Sequence, residues 1–79
     1  MRKNTTLSDA LRVRIKQLAN EQNLSILKLS KFSHIPYSTL SSFLTNRCSS
    51  ITIATLHKIC EGLKISLYDF FDDPIFNNL

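Results

Sequence analysis

The sequence predicts an all-α domain, a compact bundle of about five short helices. Three observations carry that reading. Apolar residues recur at the i, i+3, i+4 spacing of helices lying on a core in several separate stretches. Ser25, Thr52 and Ser66 stand just ahead of such stretches, where a hydroxyl caps a free backbone N–H. One Gly and two Pro in 79 residues are too few for a hairpin-rich β fold, which needs turn residues about every 8–12 positions. The length is near the lower limit for one hydrophobic core. An apolar fraction of 43%, mostly Ile, Leu and Phe, makes that core feasible, so residues 1–79 are read as a single domain.

Residues 1–6 are polar and basic without periodicity and are expected to form a loose arm. Leu11, Ile15 and Leu18, with Ala10 and Ala19 alongside, predict a first helix from about Ser8 to Gln22. Its outer face would carry Arg12, Arg14, Lys16 and Glu21. After a short link at Asn23-Leu24, Ser25 caps a second helix that runs to about Ser33, with Leu29 and Phe32 on one face. His34 and Ile35 form a turn. Pro36 biases Ile35 away from α conformation and can open a third helix.

That third helix runs to about Thr45 on Leu40, Phe43 and Leu44, and Asn46 suits a left-handed C-cap. Residues 47–51 form a polar loop. Thr52 caps a fourth helix to Leu63, whose apolar stripe is Ile53, Leu56, Ile59, Cys60 and Leu63. Gly62 weakens its last turn, and Ile65 anchors the next link in the core. Ser66-x-x-Asp69 resembles a capping box and opens a short fifth helix to Phe71. Pro74 stops it, leaving residues 72–79 as a tail with apolar residues but no clear element. Two short helices joined by a tight turn over residues 25–46 make a helix-turn-helix arrangement.

The outward face of the third helix is chemically unusual. It carries Tyr37, Ser38, Ser41, Ser42 and Thr45, and no charged residue lies between Ile35 and Asn46. Solvated helix faces are normally rich in Lys and Glu. A face of hydroxyls and one tyrosine suits close-range hydrogen bonding, as in the major groove of DNA.

Charge points the same way. Residues 1–60 hold nine Lys or Arg against Asp9 and Glu21, for a net +7, while residues 61–79 carry a net −3. That is a basic face for phosphate with an acidic end held away from it, although an ordinary solvated surface would read alike.

Other classes are poorly supported. No apolar run approaches the ~18 residues of a membrane span, and the basic N-terminus lacks the apolar middle of a signal peptide. A cytoplasmic protein is the default. Cys48 and Cys60 form no CxxC pair; Cys60 falls in an apolar stripe, and Cys48 in a polar loop. His34 and His57 have no partner at ligand spacing, so no metal or cofactor is expected. Catalysis needs a pocket with convergent groups that a bundle this small rarely encloses, so no enzyme is expected.

Leu24-Ser25, Leu29-Ser30, Ile35, Ser38-Thr39-Leu40, Thr55-Leu56, Leu63, Ile65-Ser66-Leu67 and Asp69-Phe70-Phe71 follow one another in a familiar order and spacing. In this the chain resembles the repressor/Cro-type, lambda-repressor-like helix-turn-helix family of phage and bacterial regulators, over roughly residues 11–71. It departs at His34, where Gly is usual. It departs again at Asn46, which replaces the Gly that ends the reading helix. A third departure is Ile26, which replaces a Gln that in relatives touches phosphate and braces the reading helix.

The resemblance implies base-edge contacts from Tyr37, Ser38, Thr39 and Ser42, and phosphate contacts from Ser25, Thr45, Asn46 and Arg47. Lys28 would lie near the DNA edge. Hydroxyls discriminate bases less sharply than a bidentate Arg or Gln, so DNA shape should do much of the selection.

The expected function is that of a transcriptional regulator, and the resemblance implies a repressor. It would bind double-stranded DNA as a homodimer on a palindromic site, since one module reads a half-site. Phe71, Ile75 and Phe76 are the dimer candidates. No small-molecule effector is expected. The rival reading is an antitoxin-like or partner-binding module whose main contact is another protein.

Overall fold

A computed structural model describes residues 6–45 and 50–78. Five α-helices follow one another: α1 (Leu7–Glu21), α2 (Ile26–Ser33), α3 (Tyr37–Leu44), α4 (Ile53–Leu63) and α5 (Leu67–Phe71). A 3₁₀ helix, Pro74–Asn78, closes the chain. The expected tail is therefore an ordered turn. The Asp73 carboxylate accepts from the Ile75 N–H at 2.9 Å, and Phe76 packs on the rings of Phe70 and Phe71, at 6.0 and 4.9 Å between centroids.

Local chemistry explains the starts of the helices. The hydroxyls of Thr6, Ser25, Thr52 and Ser66 accept from the N–H three residues on, at 3.0–3.1 Å, satisfying donors that a first turn leaves free. α3 differs: Pro36 precedes it, and no side chain caps its N-terminus.

Three helix ends share one geometry. Asn23, His34 and Lys64 take the left-handed conformation, with φ of 58°, 58° and 62°. In each case the next residue's N–H reaches back to close a Schellman motif: Leu24 to Ala19 O, Ile35 to Ser30 O and Ile65 to Cys60 O, at 2.8–3.0 Å. Leu24, Ile35 and Ile65 then turn into the core.

That core joins Leu11, Ile15 and Leu18 of α1 to Leu29, Leu40, Phe43, Leu44, Leu56, Ile59, Cys60, Leu63 and Phe70. Burial pushes the Cys60 thiol up to about 11, as expected of a small core residue.

The structure corrects the reading at three other points. Phe32 is exposed, because α2 turns Leu29, Ser30 and Ser33 inward instead. α2 and α4 approach so closely there that a Cβ on Gly62 would meet the Ser33 hydroxyl, with Ser33 N at 3.0 Å and Phe32 C at 3.2 Å. Gly62 is thus what permits the contact, beyond any weakening of its own turn.

Arg12 and Arg14 also leave the solvated face predicted for them. Arg12 is 7% exposed, and its Nε donates to Phe43 O at 2.7 Å. Arg14 donates from Nε to Phe70 O at 2.7 Å and from Nη2 to Asp69 O at 2.8 Å, and pairs with Asp73 at 3.1 Å. With Gln22, the residue capping the end of α1, whose amide donates to Leu63 O at 2.7 Å, α1 and its cap send a donor to the C-terminal end of each of α3, α4 and α5. Last-turn carbonyls lack helical partners and carry the negative end of the helix dipole, so cations and donors belong there.

Candidate nucleic-acid interface

α3 is amphipathic across a sharp divide. Leu40, Phe43 and Leu44 are buried; Tyr37, Ser38, Thr39 and Thr45 are exposed, and Ser41 and Ser42 are half-buried. Tyr37 keeps 49% of its surface in solvent. The turn that sets this orientation is His34-Ile35-Pro36. Ile35 is buried, which pins the turn to the core. Pro36 O then accepts from the N–H groups of Thr39 and Leu40, at 3.0 and 3.2 Å, to start the helix.

The uncapped start of α3 leaves first-turn N–H groups beside Tyr37 and Ser38 without a side-chain acceptor. Such an end attracts anionic oxygens. At the other end the Thr45 hydroxyl donates to Ser41 O at 2.7 Å, which leaves its oxygen lone pairs as acceptors.

Around α3, Ser25 is exposed and its hydroxyl already accepts from the Lys28 N–H at 3.1 Å, while the Lys28 side chain is exposed. Ile26 is half-buried against the core, so it offers the surface no polar group. Asn46 and Arg47, named above for phosphate, and Cys48 lie outside the described residues.

Sequence reasoning missed a feature beside Thr39. A shallow cleft there is lined by Ser50, Ile51, Thr52 and Thr55 together with Thr39. Its hydroxyls include Thr52, which caps α4 and also donates to the Thr55 hydroxyl at 2.9 Å. The only signal in the sequence was the density of Ser and Thr over residues 49–55, which capping alone accounts for.

The dimer candidates separate. Phe71 is 38% exposed, whereas Ile75 and Phe76 are half-buried, with Phe76 packed against the chain's own core. Other apolar side chains are more open than these, among them Ile53 at 66% and Tyr68 at 78%. Leu7, Ile53 and Phe71 line one cleft together with Leu11, Ile51 and Leu56, and Phe71 continues into a second with Leu67 and Tyr68. Among the described residues no helix is long and apolar enough to cross a membrane.

Comparison with known proteins gives consistent matches. A family model of the Cro/C1-type HTH DNA-binding domain matches residues 6–74. Among solved structures, that of prophage Lp1 protein 11 is similar, with a TM-score of 0.81 and 31% identity over 95% of this chain and 99% of that one. The wild-type restriction-modification controller protein C.Esp1396I has a TM-score of 0.82 at 23% identity, covering 94% of this chain and 92% of its own, and shows a shared fold. No curated protein matches the chain.

Proposed function

Because the chain belongs to the Cro/C1-type helix-turn-helix DNA-binding family, we propose that it is a sequence-specific transcriptional regulator. It acts as a repressor, binding a palindromic site as a homodimer with α3 in the major groove. One observation supports this above the others. α3 has an open N-terminus and an uncharged outer face of Tyr37, Ser38, Thr39 and Ser42 held on a buried apolar base. Hydroxyls donate or accept and so meet base edges of either kind. Ser25, Lys28, Thr45, Asn46 and Arg47 supply phosphate contacts that fix register.

A second reading has its own support in the apolar surface of Leu7, Ile53, Tyr68 and Phe71, which a partner-binding or antitoxin-like module would also present. A homodimer accounts for both surfaces at once. One module makes few phosphate contacts and reads a half-site, so a second copy on the apolar face doubles the interface.

The test is fluorescence anisotropy on a pool of random duplexes at two salt concentrations, with sequencing of the bound fraction. The expected outcome is binding that weakens steeply with salt and enrichment of an inverted repeat. Binding that is absent or indifferent to salt would favour the protein-partner reading.

A further inference from the structure

The reading helix is held from behind by a group that the DNA contacts do not use. α3 has only two turns, too few to be stable by itself, and no side chain caps its start. Leu40, Phe43 and Leu44 fix its depth on the core, but apolar contact is non-directional and tolerates small rotations.

Arg12 supplies direction. Its Nε donates to Phe43 O at 2.7 Å, and its guanidinium lies over the Phe43 ring, 4.6 Å from the centroid. Nη1 pairs with Asp9 at 3.0 Å, which fixes the plane of the group. A planar, charged donor bonded to a backbone carbonyl and stacked on the same residue's ring restrains both the rotation and the axial position of that turn.

We infer that Arg12 is a positioning residue for sequence recognition, setting the angle at which α3 presents Tyr37, Ser38, Thr39 and Ser42. The inference rests on the reading of α3 given above. Base-edge hydrogen bonds need their donors held within about half an ångström. Phosphate contacts from long flexible side chains adapt to a shifted helix. Loosening α3 therefore removes selectivity before it removes general affinity for DNA.

Arg14 provides the control, because it makes the same kind of clamp on α5. Arg12→Met and Arg14→Met each keep an apolar stem and lose the donors. Each would be measured on a single half-site of the duplex recovered by selection, which one copy reads without a dimer, and on a scrambled duplex of equal length and composition, at one salt concentration. Arg12→Met is expected to weaken binding to the half-site about tenfold, or ~1.4 kcal/mol, and to change binding to the scrambled duplex by less than about twofold. Arg14→Met keeps the wild-type ratio, and Arg12→Lys regains part of it.

Amide hydrogen exchange, which needs no DNA, should show faster exchange across Leu40–Leu44 in Arg12→Met and not in Arg14→Met. If Arg12→Met does not fold, Asp9→Asn carries the test, with an expected two- to threefold (roughly) loss of ratio from a less constrained guanidinium.

A folded Arg12→Met with the wild-type ratio or unchanged α3 exchange would overturn the inference. So would an equal loss of ratio in Arg14→Met, which would mean general destabilisation. A wild-type protein with no preference between the two duplexes would overturn the reading of α3 itself, and this inference with it.

Discussion

His34 and Lys64 occupy the left-handed backbone conformation, at φ 58° and 62°, which is uncommon for any residue but Gly and less so for Asn, Asp and His than for Lys. Both are kept there by Schellman hydrogen bonds and by the burial of the aliphatic residue that follows. The conformation at His34 was signalled only by the family resemblance, which puts Gly at that position of the turn. Replacing Lys64 by Gly relieves the strain of this conformation away from the candidate interface. The expected gain is about 1 kcal/mol, or ~4–8 °C in thermal midpoint for a domain of this size. Asn23→Gly should change little, since Asn already tolerates the conformation. Thermal unfolding of the two variants side by side checks this.

Cys60 makes a second prediction at this scale. Its thiol lies at about 11 in the folded protein against an ordinary 9.0, because burial disfavours the thiolate. Its folded value is raised, so its contribution to stability is complete below pH 9 and is lost as pH climbs through 9 towards 11. Wild type should thus lose stability more steeply over that window than Cys60→Ala, whose stability at neutral pH is lower from the cavity. Parallel pH profiles of the two proteins would mean that the thiol does not titrate as its burial dictates. Arg12 and Arg14, by contrast, were not legible. Each flanks the apolar stripe of α1 as an ordinary solvated charge would, and what draws it inward is a carbonyl 31 or 56 residues away.

Among the elements, the starts and stops of the helices were largely readable, because caps are local. Ser25, Thr52 and Ser66 cap where they were expected to, and the helices end within a residue or so of the expected places. What periodicity could not supply was the distance between α2 and α4. Their closeness puts Ser33 and Gly62 face to face, sends Phe32 outward, and leaves the Ser33 hydroxyl buried with no hydrogen-bond partner among the described residues.

Gly62→Ala should therefore destabilise by about 1–3 kcal/mol despite the better helix propensity of Ala, because the added methyl meets α2. Ser33→Ala alone should be neutral or stabilising, since it removes an unpaired buried hydroxyl. The double variant should recover part of the loss but not all, because Ser33 N and Phe32 C remain at 3.0 and 3.2 Å from the new Cβ. Denaturant unfolding of the four proteins gives the coupling directly. A Gly62→Ala protein as stable as wild type would show that the two helices can separate at little cost.

For the molecule as a whole, the burial of Arg12 and the internal pairing of half-buried Arg14 change how its charge is used. Two of the nine basic residues in the first 60 serve internal clamps, so fewer remain to meet phosphate than the net charge suggests. A single copy with few phosphate contacts binds DNA weakly, which makes the apolar surface of Leu7, Ile53, Tyr68 and Phe71 important to the proposed function. Ile53→Asp and Tyr68→Asp test it with little risk to the fold. Both positions are exposed, and an acid in the first turn of α4 favours the helix itself. Phe71 is a poorer choice, since its ring also rests edge-on against Phe70 at 5.2 Å.

If two copies meet through this surface, the double variant should sediment as a monomer at concentrations where wild type is a dimer. On a full inverted repeat it should lose about a hundredfold in affinity, because the second half-site is no longer delivered by a bound neighbour. On an isolated half-site it should bind as wild type does, since α3 is untouched. A double variant that remains dimeric and holds the full repeat normally would put the dimer seam elsewhere. A variant that loses the half-site as well would tie this face to the fold of α3 and not to a second copy.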